Sequence, residues 1–513
     1  MKKILLMTAA LSCIQSVHAT DLLEVYQQAL TSDPTYQQAV SQRLATKEGV
    51  LISLSSLLPN ISLNYNPAVT RSGFSGTNFR TGSSPRNNTV RNYDLALTLS
   101  QTVFDYSSYM NLASAFSISS GADAILNSAL QNLMIRVASA YFAVLKDEDN
   151  LSYSEASMLA FKEQLDQVKQ KYEVGIKTIT DVYTARASYT SAVANYIAAE
   201  TTLANDRENL RVITGKYYPH LSALSENFPL VSPQPDSIEA WVKTALQQNW
   251  NIKSSQYAVS SARQIIKQQF GGHFPTVTLQ GTADKQYTQN INSYQQALNE
   301  RDGPSTQSDR SVMLNFTLPL VAGGAVIAQT NQATYNYEVA QQQLELTQRT
   351  TVNNTRQSYM GVMAGISQIK ADREAVKSNI SSLHGMEESY NVGAETLVNV
   401  LNQQEKLFQA QTEYAKDRYA YVNSILALKQ AAGTLGFDDL RAVNVWLTDE
   451  KTTQTRHIIR EYQPHKHTEN IKKKATKVAT KSNVKKVAQK AAKTASPKLA
   501  HTQKPQQTKA KQV

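Results

Sequence analysis

Histidine, cysteine and clustered carboxylates are the residues most able to do chemistry, and their placement here speaks against catalysis. Of eight histidines, His457, His465, His467 and His501 lie in a lysine-rich C-terminal stretch, His18 lies near the N-terminus, and His220, His273 and His384 stand alone. The only cysteine, Cys13, is also near the N-terminus. With no glycine-rich phosphate loop, metal-spaced cluster or nucleophile motif, the expectation is a non-enzyme with no catalytic, cofactor or metal site, whose energy for any transport comes from a partner. What recurs instead is a frame: "YEVGIKTIT" from Tyr172 and "YNVGAETLV" from Tyr390, 218 residues apart. Gly175 and Gly393 can take the left-handed conformation that ends a helix, and Thr178 and Thr396 can cap the next one. Asp181, third after Thr178, fits a capping box. Each frame reads as the tip of a helical hairpin.

The elements that position two such tips are themselves duplicated. Pro59 pairs with Pro275, Ala29 with Ala245 and Leu30 with Leu246, all 216 residues apart, a period too long for a common solenoid. No proline occurs between Pro85 and Pro219 or between Pro319 and Pro464, and each interval holds one tip. In the first unit, residues 22–57 read as helix, Ile61, Leu63 and Tyr65 alternate as a strand does, a polar loop is expected over 66–92, and Leu95, Leu97 and Leu99 alternate again. A helical run from Asp105 to Val174 follows. The second unit repeats the order with Val277 and Leu279, a polar loop over 285–310, then Val312, Leu314, Phe316 and Leu318. The long run would be about 100 Å and the shorter helices about 55 Å each, so two short helices end to end match one long one. A stripe through Val182, Ala185, Tyr189, Ala192, Tyr196, Ala199 and Leu203, repeated from Val400 on, fits a coiled-coil seam, with an ordinary buried helix as the other reading. The expected divisions are 1–19, 20–215 (first repeat), 216–236 (linker), 237–433 (second repeat), 434–450 and 451–513.

"MKKILLMTAALSCIQSVHA" has the form of a secretory signal peptide cleaved after Ala19; lipoprotein processing before Cys13 is a second, weaker fit because Ala10 stands where a leucine is usual. The net charge of +11 is uneven: residues 451–513 carry 17 Lys and Arg against Glu461 and Glu469. The remaining body is mildly acidic. Such a basic block favours disorder; contact with anionic cell-wall or lipopolysaccharide groups is the functional alternative, and nucleic acid fits the composition but not an exported chain. No later run of 18 to 20 consecutive apolar residues occurs, so membrane entry would be as a barrel. Four strands cannot close one, since membrane barrels have about eight strands or more; three chains would supply twelve, while two small soluble sheets are the competing reading.

With "VGIKTITDVYTARASY", "LRVITGKYYPHLSAL", "YNVGAETLVNVL" and "ALKQAAGTLGFDDL", the chain resembles the TolC family of outer-membrane channel proteins over about residues 21–447. The resemblance implies a mainly α fold with a small β part: a long antiparallel coiled-coil α-helical barrel plus a transmembrane β-barrel, assembled as a homotrimer of internally duplicated chains. It places the protein in the outer membrane of a Gram-negative bacterium, extending into the periplasm and surrounded by outer-membrane lipid. It implies a passive duct for drug efflux or type I protein secretion that docks on a periplasmic adaptor and an inner-membrane transporter, ABC-type or proton-driven. A periplasmic coiled-coil adaptor without a barrel is the alternative. By the same resemblance the turns at Val174, Gly175, Val392 and Gly393 meet the adaptor, and Asp181 is a gate residue linked to Tyr390. The chain departs from the family's best-known members at Asn399 and Asn402, where they carry aspartates, and at Glu395, where they have an arginine. Amides offer a cation only neutral dipoles, so weaker cation block is expected, with Lys177 as a substitute cation opposite Glu395.

Overall fold

The computed structural model describes residues 19–74, 86–291 and 304–448. Residues 1–18, with Cys13 and nearly all of the expected signal peptide 1–19, and the basic stretch 451–513 lie outside the described residues. The described residues are 70% helical with a small antiparallel sheet, the mainly α, duplicated architecture expected from the sequence.

The first unit runs α1 (Leu22–Ser32), α2 (Pro34–Ser55), β1 (Asn60–Phe74), β2 (Arg86–Phe104), α3 (Tyr106–Glu173) and α4 (Ile179–Thr214). A short strand β3 (Ala223–Leu224) leads to the second: α5 (Ile238–Gln248), α6 (Trp250–Phe270), β4 (Thr276–Asn290), β5 (Ser305–Thr317), α7 (Ala325–Asn391) and α8 (Leu397–Ala431). A small helix α9 (Phe437–Asn444) and β6 (Leu447–Thr448), which pairs with β3, close the described chain.

The single helix expected over 22–57 is two. Pro34 has no N–H to donate and opens α2 at its first turn, while the Asp33 carboxylate accepts from the Tyr36 N–H at 2.8 Å. In the second unit Asn249 does the same without proline, its side chain accepting from Asn251 and Ile252 N–H. These breaks receive the ends of the return helices. Gln28 Nε2 and Ser32 Oγ donate to Thr214 O where α4 stops, and Asn249 Nδ2 donates to Ala431 O where α8 stops. Asp33, 1% exposed, also takes both guanidinium nitrogens of Arg136 from α3, at 3.1 and 2.6 Å.

The strands are longer than the alternation of leucines indicates. β1 reaches Phe74, β2 starts at Arg86, β4 runs to Asn290 and β5 begins at Ser305, all inside the segments expected as loops. Backbone pairing carries the ladder through Asn, Thr, Ser and Arg residues that the apolar alternation does not mark. The sheet order is β1-β2-β4-β5, so among the described residues β1 and β5 each have one neighbour. The register aligns Ile61 with Leu99, Leu99 with Gly281 and Gly281 with Val312 on one face. Ser62, Thr98, Thr282 and Ser311 align on the other.

Packing follows the expected seam: Val182, Ala185, Ala192, Ala199, Leu203 and Leu210 of α4 are buried. On α8 a second row, including Leu401, Gln404, Ala415, Tyr419 and Leu426, is buried too, because α8 packs on α3 as well as on α7. Midway along the rod the aromatic residues Tyr141, Phe142, Tyr419, Phe228, Tyr421 and Trp446 join the two units. There Tyr141 OH donates to Ser222 O and Arg418 to Ser225 O. Among the described residues α3 alone has an 18-residue window apolar enough to cross a membrane by composition, with mean hydropathy 1.2, although it holds no unbroken apolar run of that length; half of that window is buried inside the chain.

Burial alone would raise the Asp33 carboxyl, but Arg136 and the backbone N–H groups of α2 hold it below its ordinary value. A carboxyl lowered on folding stabilises the fold above its unfolded value near 4 and loses that contribution as pH falls through the folded one. Asp33→Ala is expected to cost about 1–3 kcal/mol at neutral pH. In thermal melts followed by circular dichroism, the gap from wild type should shrink below pH ~4.

Candidate functional site

The two tips are built alike at the backbone. Gly175 has φ +77° and Gly393 φ +82°, so both need glycine's freedom. In the first turn Gly175 N–H donates to Tyr172 O, and Ile176 and Lys177 N–H both donate to Lys171 O. In the second, Gly393 N–H donates to Tyr390 O, and Ala394 and Glu395 N–H both donate to Ser389 O. The apices are open: Val174 is 70% and Val392 79% exposed.

The caps differ. Thr178 accepts from Asp181 N–H at 3.2 Å, and the Asp181 carboxylate accepts in return from Thr178 N–H and Oγ1 at 3.0 and 2.9 Å, a complete capping box. In the second tip Thr396 accepts from Asn399 N–H at 3.3 Å, but the anion has moved outside the helix: Glu395 Oε2 accepts from Thr396 N–H and Asn399 Nδ2 at 2.9 and 2.8 Å. Those bonds, the Asn399 amide first, hold the Glu395 carboxyl below its ordinary value. Asn399 and Asn402 are both exposed near the start of α8.

Tyr390 is 6% exposed, and the hydroxyl is buried without a hydrogen-bond partner among the described residues. Its ring instead lies under two ammonium groups of the first hairpin, Lys177 Nζ at 4.2 Å and Lys171 Nζ at 5.0 Å from the centroid. Within one chain, then, Lys177 turns to Tyr390 rather than to Glu395, and Asp181 binds its own cap rather than Tyr390. Lys171 is not singled out by the sequence; its signal is the six-residue spacing to Lys177, which the shared Lys171 carbonyl brings together across the turn.

Farther from the tips, each hairpin holds two facing aspartates. Burial pushes Asp417 of α8 up to about 6, and Asp372 of α7 adds to the shift. Burial likewise pushes Asp147 of α3 up to about 6, with Asp206 of α4 opposite. Asp372 Oδ2 and Asp147 Oδ2 are buried without a hydrogen-bond partner among the described residues.

At the far end of the rod, Ile61, Leu63, Val312, Leu314 and Phe316 lie exposed on one face of the sheet. Tyr65, Tyr93 and Tyr287 form a row across three strands, with centroids 6.4 and 5.9 Å apart. Phe104, Tyr109, Tyr106 and Phe274 gather where the sheet meets the helices. The eleven-residue rise from Tyr93 to Phe104 spans about 25 Å for strands tilted near 45°, the height of the apolar band of an outer-membrane barrel.

An apolar, aromatic-bounded sheet on a rod of paired helices about 100 Å long, ending in capped tips, defines an outer-membrane channel of the helical-barrel type. The comparisons agree. A family model described as "Outer membrane efflux protein" matches residues 25–216 and 241–434, one stretch per repeat. The chain is 36% identical to "Outer membrane protein TolC" of Escherichia coli (strain K12), over 89% of this chain and 92% of that one. It is 27% identical to "Alkaline protease secretion protein AprF" of Pseudomonas aeruginosa, over 84% and 88%. The "Campylobacter jejuni CmeC outer membrane channel" shares the fold at a TM-score of 0.68 with 17% identity, covering 84% of this chain and 90% of that one. The chain belongs to the outer membrane efflux protein family, and it is an outer-membrane channel of the efflux and secretion type.

A carboxyl raised on folding destabilises the fold as pH rises from its unfolded value near 4 to its folded one near 6. Glu413 and Lys416 are the other charged groups acting on Asp417, in opposite directions. Thermal melts of wild type should therefore fall between pH ~4 and ~6, and Asp417→Asn should flatten that fall and melt higher than wild type at pH ~7.

Proposed function

We propose that three copies assemble into a homotrimer whose twelve strands close one barrel in outer-membrane lipid and whose helices form a tunnel through the periplasm. The trimer is a passive exit duct for tripartite drug efflux, type I protein secretion or both. It docks on a periplasmic adaptor and an inner-membrane transporter, ABC-type or proton-driven, and opens by movement of its helical tips.

The observation that carries this reading is the sheet: four strands with two unpaired edges and an exposed apolar face bounded by aromatic rows. An open edge is a template for another strand, and pairing β5 of one chain with β1 of the next closes a ring. Four strands are too few for a barrel and twelve leave a lumen. The same sheet weighs against a periplasmic adaptor without a barrel, which would leave this apolar face in water. The exposed Val174 and Val392 turns are the proposed adaptor contacts, and Asp181, Lys177, Tyr390, Glu395, Asn399 and Asn402 the proposed constriction.

Detergent-extracted protein in a planar bilayer should show stable openings of one small unit size. Divalent cations should leave wild type largely unblocked, because Asn399 and Asn402 offer no charge, and Asn399→Asp with Asn402→Asp should introduce block. Failure of correctly folded wild type to partition into the outer-membrane fraction or to conduct would overturn the duct.

A further inference from the structure

The two acids at the caps of the return helices are each held within their own hairpin, Asp181 by Thr178, and Glu395 by Thr396 and Asn399. A residue that is reached from the other hairpin is Tyr390, next to last in α7. Lys171, in the last turn of α3, and Lys177, in the turn that follows, place their ammonium groups 5.0 and 4.2 Å from its ring centroid. Both distances fall within the reach at which a cation is attracted by a ring's electron-rich face. The ring is buried while both lysines are half-exposed, so the aromatic side of the contact is shielded from water. The hydroxyl, the part of tyrosine that a carboxylate gate would use, is buried without a partner among the described residues.

We propose that Lys171 and Lys177 clasp the ring of Tyr390 and so hold the two tips of each protomer together in the closed duct, the ring and not the hydroxyl being the functional part. The role in closing rests on the reading of the tips as the gate; the clasp itself does not. The turn prepares it. Because Ile176 and Lys177 N–H both bond to Lys171 O, the bend at Gly175 sets both lysines beside each other before either meets the ring. Tyr390 is anchored in turn by its own carbonyl, which receives the Gly393 N–H. The two glycine turns thus fix both halves of the contact. Glu395 leaves the lysines to the ring by spending its charge on its own helix.

The test is made on the full-length, detergent-extracted protein with two readouts. Hydrogen exchange of the tip amides, around Tyr172 to Thr178 and Ser389 to Thr396, reports the clasp whether or not the protein conducts. Bilayer conductance reports the gate. Lys171→Met with Lys177→Met should speed tip exchange roughly two- to fivefold per ammonium removed and raise the resting conductance. Tyr390→Leu should do the same. Lys171→Arg with Lys177→Arg, and Tyr390→Phe, should remain close to wild type on both readouts. If Tyr390→Phe loosens the tips as much as Tyr390→Leu, the hydroxyl is the latch and the clasp is wrong. If the paired methionine variant exchanges like wild type, the clasp is likewise wrong, and because both lysines are half-exposed this variant decides even should Tyr390→Leu fail to assemble. Faster exchange with unchanged conductance would overturn its role in closing. A wild type that never conducts would count against the duct, while the exchange data would still decide the clasp.

Discussion

Six helix ends meet at two junctions midway along this rod, and satisfying them is the constraint on which the rest depends. A helix leaves its last carbonyls and first N–H groups without partners, and an interruption halfway along a packed bundle would bury them. The chain solves this twice in the same way. Where α4 stops, Gly215 takes φ +70° and Thr214 O accepts from Gln28 and Ser32 beside the Asp33 break. Where α8 stops, Gly433 takes φ +76° and Ala431 O accepts from Asn249. The second junction is so close that a Cβ on Gly433 would lie 2.6 Å from Asn249 Cα and the Gln248 carbonyl. With these ends sealed, short helices can run end to end alongside α3 and α7, and the tips lie where those helices turn.

Much of this plan was legible from residue types. Paired prolines and the two Tyr-x-Val-Gly frames located the duplication, and the small-residue seam from Val182 identified the buried side of α4. The strand lengths were not legible, because the outer halves of β1, β2, β4 and β5 are held by backbone pairing among polar residues. The break at Asp33 was marked by Pro34, yet the periodicity around it is continuous. The break at Asn249 carries no such mark; it depends on a side chain that caps α6 and also reaches across to α8.

At the tips the local chemistry was readable and the contacts between hairpins were not. Thr178 with Asp181 is a spacing, and spacing survives in a sequence. Glu395 is different: from the sequence it stands in place of an arginine and invites a search for a cation, whereas in three dimensions it replaces the carboxylate that Asn399 lacks at the third position of α8. The two repeats therefore keep the same electrostatics at each helix start, an anion on an N-terminus, with the anion on opposite sides of the cap. The meeting of Lys171, Lys177 and Tyr390 joins residues more than 200 positions apart and is visible only in the fold.

The central pairing of the sheet also sets an order of events in time. β1 with β2 and β4 with β5 are each local, but β2 meets β4 by aligning Leu97 with Ala283, and the intervening chain includes both α3 and α4. Non-local pairing of this kind is slow compared with the zipping of a helical hairpin. The central pairing is therefore expected to follow consolidation of the helices. In the proposed trimer, a chain whose sheet has formed but has not met its neighbours carries an exposed apolar face and two open edges. On that reading, the interval before the edges are paired is when the chain is most exposed to edge-to-edge aggregation.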